Sequence, residues 1–462
     1  MNIQTHISPK TEGSVLMTSL LTGFTIGITL ASYLIMVQQQ NTSVFRSQAW
    51  NSGISVTEAG IEDAFAHLNS DSGLDGILDG DGWTNMSGGV YQTSRTMNGG
   101  YYVVSIKTGG GSYPIITSEG FSSYTYASAS MPAPMFAVIG NTTSSAKYLS
   151  RKIQVNTKMD PLLNVAMAAK DTIDFKGNNI STDSFDSTTN TYSTGGLYDV
   201  TKRKDNGDVV TDSVVTNSLN LGNANIRGTI RTGPHGLPKI GSNGTVGDNA
   251  WVGGGNLGIQ TGHFADDMNV TFPDVKLPNI NFIPAPIIST NIGGVNYKYY
   301  LTSGNWQIDN FTQGVYVDGN VNVYVPSTGK VQFTGQDTLY IAADPPNTPP
   351  NHSMKLFVGV DSASIGGQGV VNATGNSANF VYYGLPSNTS FNLAANAAFV
   401  GTIYCPNAVF TLGGGGANTY DFVGACVANQ IKMNGKFNFH YDENLRRIGL
   451  NRGYVATKWT EL

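Results

Sequence analysis

Charge is scarce in this 462-residue chain: Asp, Glu, Lys and Arg together supply 12% of it, about half the share in an ordinary soluble domain. No stretch is rich in Lys or Arg, and the formal net charge is −5. Nothing in it therefore draws nucleic acid electrostatically, and no nucleic-acid partner is expected. Cysteine is nearly absent. The two present, Cys405 and Cys426, exclude a disulfide-dense scaffold and a four-cysteine zinc site. A P-loop, a G-x-S-x-G elbow and a Cys/His nucleophile arrangement are also missing, and no cofactor or metal is expected. What the chain has in plenty is glycine, 56 residues, with much Asn, Ser and Thr. These are weak helix formers and suit short strands joined by tight turns under a polar, uncharged surface.

The exception is the N-terminal region, which has no charged side chain from Gly13 to Phe45. Val15, Leu16, Leu20, Leu21, Phe24, Ile26, Ile28, Leu30, Leu34, Ile35 and Val37 make it apolar over the ~20 residues that cross ~30 Å of hydrocarbon. In lipid such a segment satisfies its backbone only as a helix. A cleaved secretory signal has a shorter apolar stretch and a small-x-small site; this one ends in Gln38, Gln39, Gln40 and Asn41, which favours a retained anchor. Lys10 and His6 before the span, partly offset by Glu12, place the N-terminus on the cytoplasmic side. Beyond the span Trp50, Ile54, Ile61, Ala64, Phe65 and Leu68 recur at helical spacing. One helix over 14–69 is expected, apolar in its first half and amphipathic in its second. Gly53 and Gly60 are its weak points.

Residues 70–159 read as a small antiparallel sheet covering the stripe of Ile54, Ile61, Phe65 and Leu68. The glycines at 99–100 and 109–111 mark hairpins, and Leu149, Ile153 and Val155 mark a further strand over 148–158. Asp71, Asp75, Asp79 and Asp81 are faintly spaced like a calcium loop, but Gly73 and Gly82 stand where ligands belong, so solvated turns are the better reading. From 160 to 440 short alternating runs, such as Val321/Val323/Val325 and Leu356/Val358/Val360, are separated by Gly, Asn or Asp, with a proline-rich loop at 344–350. These suggest a parallel β-helix or a sandwich. Repetition tips the choice to the β-helix. FVGTIYCPN from Phe399 and FVGACVAN from Phe422 are 23 residues apart, and YYGLP ending at Pro386 precedes TIYCP ending at Pro406 by 20. Ile403 should then lie over Cys426, and Phe410 and Leu412 over Ile431 and Met433. Cys405 and Cys426 fall two positions apart in that register, and stacked core thiols and one disulfide both remain open. Residues 441–462 read as a polar C-terminal cap anchored by Leu445, Ile448 and Trp459.

His440, Asp442 and Glu443 lack a zinc spacing and are read as cap hydrogen-bond groups. If the β-helix were a tethered polysaccharide-active enzyme, its carboxylates would be Asp183 with Asp186, or Asp266 and Asp267 with His263. Turn hydrogen bonding explains these at least as well, and the chain is read as not an enzyme.

The run EGSVLMTSLLTGFTIGITLASYLIMVQQQ followed by WNSGISVTEAGIEDAFAHLN resembles the start of type IV pilin-like proteins, closest to the PilX-type and K-type minor pseudopilins of type IV pilus and type II secretion systems. The resemblance implies processing after Gly13, leaving Ser14 first. It puts Thr18 at the fifth mature position, where most pilins carry Glu; the K-type tip subunits also lack that Glu. DFKGNNISTDSFDS at 174–187, GIQTGHFADDMNVTFPDV at 258–275 and GKFNFHYDENL at 435–445 resemble a β-helical domain of unknown function fused to PilX-type N-termini. Together they imply a single-pass protein of the bacterial inner membrane, its bulk periplasmic or on the cell surface. Its partners would be that membrane, other pilin-like subunits, and a glycan or protein ligand on the β-helix.

Overall fold

The computed structural model describes residues 12–70, 82–97, 99–109, 112–124, 147–177, 180–344, 352–394, 398–413, 418–448 and 450–462. The chain divides into two compact units. The first comprises residues 1–159 and 453–462, and the second residues 160–452. The second unit is thus an insertion in the first.

Helix α1 runs Glu12–Ser70, 59 residues, as the continuous pattern predicts. It is long and apolar enough to cross a membrane, and its most apolar stretch has no buried residue. Val15, Leu16, Leu20, Leu21, Phe24 and Ile26 are 61–77% exposed. The polar groups in this stretch are satisfied internally: Thr25 and Thr29 donate to the carbonyls of Leu21 (3.1 Å) and Thr25 (2.9 Å), and Thr22 to that of Thr18. Such back-bonding lets a hydroxyl sit in hydrocarbon without an orphaned donor.

The second half of α1 lies on an antiparallel sheet of β1 (Thr84–Asn85), β2 (Val90–Met97), β3 (Gly100–Gly109), β4 (Ser112–Tyr124) and β5 (Lys147–Pro161). Alternation along β3 turns Tyr102, Val104 and Ile106 inward. They meet Ile61, Ala64 and Leu68, all buried, with Ile54 and Phe65 partly buried at the edge. The sixth strand, Asn451–Glu461, follows β5 in the sheet. Asn69 clasps it, accepting from Tyr454 N–H (2.7 Å) and donating to Tyr454 O (3.2 Å). Arg151 on β5 reaches Glu461 at 2.8 Å and covers the Trp50 ring at 4.8 Å.

The expected C-terminal cap is therefore corrected. Residues 451–461 are a strand of the first unit, and Ile448 and Trp459 are half-exposed; of the three expected anchors only Leu445 is buried. The polar pattern of this segment belongs to a strand at the sheet edge, where charge discourages further pairing. Asp71, Asp75, Asp79, Asp81 and the proline-rich stretch at 345–350 lie outside the described residues.

The second unit is largely β. Among the described residues its paired strands are parallel, the two-stranded hairpin Thr290–Ile292/Val295–Tyr297 and two isolated antiparallel bridges excepted, unlike those of an antiparallel sandwich. Three ladders recur. Phe399–Leu412 and Tyr420–Met433 pair along most of their lengths, with Phe399 opposite Phe422, Ile403 opposite Cys426, Phe410 opposite Ile431 and Leu412 opposite Met433, the register the repeat predicts. The 20-residue offset of the YYGLP repeat is wrong by one: Tyr382 faces Ile403, not Thr402, so an extra residue is taken up between these strands. Phe399, Phe422 and Phe439 stack at 4.5 and 4.2 Å in the core.

The order of strands in the ladder is not the order of the chain. One row reads Ala265, Arg231, Val210, Ala168, Val427, Tyr404, Tyr383, Phe357, Tyr324, Gln307, Pro284. The segment from 160 enters in the middle, beside the last strands, and builds outward to 265. Residues 266–283 then return across the face to the far end, and the remaining strands build back. Ten steps of ~4.8 Å make roughly 48 Å, within the ~63 Å that nineteen extended residues reach. The returning segment covers the row: Phe272 and Val275 are buried, Phe282 lies against Tyr324 and Phe357, and Tyr404 donates to Pro273 O at 2.7 Å.

Candidate functional site

Where the entering segment meets the last strands of the unit, strand Phe437–Asp442 pairs with Ser181–Phe185, and His440 falls opposite Asp183. Both are buried. His440 Nδ1 is 2.6 Å from Asp183 Oδ1, and Tyr198 donates to Asp183 Oδ2 at 2.7 Å while stacking on the imidazole at 3.6 Å. Asp421 lies 3.4 Å from His440 Nε2, an ion-pair contact. Burial pulls the imidazole pKa down, but the Asp183 hydrogen bond and the two carboxylate charges override it, and the net direction is up. Burial, then Asp183, pushes the Tyr198 phenol well up, so it stays a donor.

The neighbouring groups are equally committed. Glu443 accepts from Ser184 (2.9 Å) and Asn206 (2.6 Å) and pairs with Lys204. Asp442 accepts from the N–H groups of Ser187 and Asn444 at 3.2 and 3.0 Å, with its pKa raised by burial. Asp186 forms a two-point pair with Arg447 (2.8 and 3.3 Å), which holds its carboxyl well below the usual range. The expected hydrogen-bonding role of His440, Asp442 and Glu443 is seen, but it locks the two chain segments together inside the unit rather than sealing an end. Asp183 and Asp186 do not converge on an open face. Asp267 pairs with exposed Arg231 at 3.0 Å, Asp266 accepts from His235 N–H at 3.3 Å, and His263 Nδ1 contacts Gly228 O at 2.8 Å. Among the described residues no group of three metal-ligating side chains comes together.

Cys405 and Cys426 are free, fully buried thiols. Cys405 faces Ala428 and Cys426 faces Ile403; a two-residue diagonal between strands is roughly 8 Å, too far for a disulfide. Burial raises both thiols. Gly13 and Ser14 lie in the first turn of α1, and Thr18 accepts from Thr22 one turn on.

Sequence reasoning missed one concave site altogether. The hairpin 290–297, Tyr316 and Tyr340 line an open groove of about 1420 Å³. Tyr300, Tyr316 and Tyr340 are opposite one another on successive strands, with rings stacked at 5.5 and 5.3 Å. Tyr297 from the hairpin meets Tyr316 edge-on at 5.3 Å. Tyr300 donates to Asp318, which, ahead of burial, pushes its phenol up to about 12. The turns beside this row carry Gln313, Gln336 and Gln368, exposed, with Gln368 donating to Gln336 at 3.3 Å. The tyrosine spacings, 16 and 24 residues, are too uneven to show as a repeat.

Residues 291–448, about a third of the chain, are similar to a domain of unknown function, DUF7305. The matched span holds the groove and the strand of His440; of the three stretches resembling a β-helical domain, only 435–445 lies in it. No curated protein and no solved structure matches the chain.

Proposed function

We propose that this chain is a membrane-anchored, pilin-like structural or interaction protein, a minor or tip subunit of a type IV pilus or type II secretion-like system, that displays a parallel β-helix beyond the bacterial inner membrane. One observation carries the reading: a single helix whose exposed apolar half suits lipid and whose amphipathic half is sewn onto a small antiparallel sheet. A plain anchor does not need the second half. Thr18, in place of the Glu of most pilins, supports a minor or tip position. The three recurrent parallel ladders support a β-helix, each turn giving one strand to each face. The N-terminus is cytoplasmic and the bulk periplasmic or on the surface.

The competing reading, a tethered polysaccharide-active enzyme, requires free carboxylates facing one substrate. Asp183, Asp186, Asp266 and Asp267 are each engaged by a base, a phenol or an N–H group, which favours display. Deletion of residues 14–37 tests the proposal. The truncated chain should leave the membrane and filament fractions, and its persistence in either would sink the idea. Mass spectrometry of the N-terminus from membranes should find Ser14 first.

A further inference from the structure

We propose that the groove between the hairpin 290–297 and the tyrosine row binds a neutral glycan chain. This deepens the display reading by naming a ligand for the displayed unit, and it rests on that reading only for where the ligand is met.

Size is the first argument. At about 1420 Å³ the groove exceeds the ~300–1,000 Å³ that encloses a small molecule, and it is open, so it suits a chain laid across successive strands. Charge is the second. Lys298 and Asp337, one of each sign, are the charged residues lining it, which gives neither a polyanion nor a nucleic acid a counter-charged track.

The third is the chemistry of the walls. Gln313, Gln336 and Gln368 sit in successive turns, and Asn291 and Asn296 face them from the hairpin, joined at 2.6 Å. A carboxamide offers donor and acceptor on one group, the complement of a sugar's neighbouring hydroxyls. Tyr297 and Tyr316, whose phenols burial pushes up, remain neutral donors. A protein ligand would instead call for a pocket that swallows an aromatic or Arg anchor. Tyr316 is stacked on both faces, by Tyr300 and Tyr340, so it offers no open ring face for such an anchor.

The test uses the full chain in a zwitterionic, sugar-free detergent, with calorimetric titration of cellohexaose, maltohexaose, chitohexaose and mannohexaose, and polygalacturonate as the anionic competitor. At least one neutral hexasaccharide should bind with Kd below about 1 mM, a range open to a few well-placed polar contacts. The triple variant Gln313→Ala, Gln336→Ala, Gln368→Ala, altering exposed turn residues alone, should weaken it at least tenfold with an unchanged circular dichroism spectrum. Tyr340→Phe, which keeps the stack, should weaken it less. Polygalacturonate should not compete. No binding by any hexasaccharide at 5 mM, binding unchanged in the triple variant, or displacement by polygalacturonate would each overturn the proposal. Loss of membrane localisation on deleting 14–37 is a separate readout and leaves this result standing.

Discussion

Substituting Gly120 with Ala should unlatch the helix from its sheet. A Cβ at Gly120 would lie 2.5 Å from Thr57 Oγ1, 2.6 Å from Thr57 N and 3.0 Å from Gly53 O. Two of those atoms are helix backbone and cannot rotate away. Thr57 is fully buried, donating to Gly53 O at 2.7 Å, and its carbonyl accepts from Ser118 at 2.9 Å. Prying α1 from β4 costs about 1–3 kcal/mol of overpacking plus about 1–3 kcal/mol for the buried Ser118–Thr57 hydrogen bond, so roughly 2–6 kcal/mol in all. Gly60→Ala is milder. Its Cβ would meet only side chains, Ser118 Oγ at 2.4 Å and Tyr102 at 3.0 Å, and the helix gains about 1 kcal/mol of propensity. The net loss should be about 0–2 kcal/mol. Gly23→Ala, with nothing within 4 Å, is the control. Because the chain has two units, one global melting curve would mix them. Hydrogen exchange read on the amides of β3 and β4, with those of Phe399–Leu412 as internal reference, isolates the first unit. Gly120→Ala should speed exchange there at least 30-fold and leave the reference unchanged. Protection equal to the parent would refute the close-approach argument.

Three further outcomes are expected. Asp183→Ala strips His440 of its buried partner and should cost the second unit about 3–5 kcal/mol, whereas Asp267→Ala, breaking an exposed pair, should cost ~0–1 kcal/mol; urea unfolding followed by exchange in the second unit compares them. Because the folded His440 pKa is raised, its contribution is present below about pH 6.5 and is lost as pH rises through the folded value; His440→Gln should flatten that slope, and an unaltered slope would exclude the histidine as its source. Cys405 and Cys426 should resist iodoacetamide at pH 8 in the native chain and gain two adducts in urea by mass spectrometry. Native alkylation within minutes would contradict their burial.

The helix was legible because both its signals are local: an unbroken apolar run, then apolar residues every three or four positions. The register of Phe399–Leu412 on Tyr420–Met433 was legible because stacked strands that share a core repeat like residues. That Met167–Ala169 lies on the other side of the same strand left a fainter mark: Ala166, Ala169 and Ile173 match Ala425, Ala428 and Ile431 after one extra residue. Nothing local announces a partner 257 positions away, so His440 could be read only as a hydrogen-bonding group, with its partner unknown. The groove was illegible for a similar reason. Its tyrosines come together through turns of unequal length, and its far wall is a hairpin that interrupts the parallel pattern. Gly60 was misjudged on propensity alone; its merit, like that of Gly120 on β4, is the missing side chain at a contact between helix and sheet.

The strand that finishes the first unit's sheet, Asn451–Glu461, is synthesised only after the whole inserted unit. During translation α1 and the first strands emerge early, but the position beside β5 stays vacant until residues 451–461 leave the ribosome. A chain that stalls or is truncated anywhere in the insertion keeps α1 yet carries an open sheet edge, the kind of surface that proteases and other strands seize. A completed sheet in the first unit therefore reports that the insertion has been made in full, a proofreading step that an arrangement of consecutive domains would not possess.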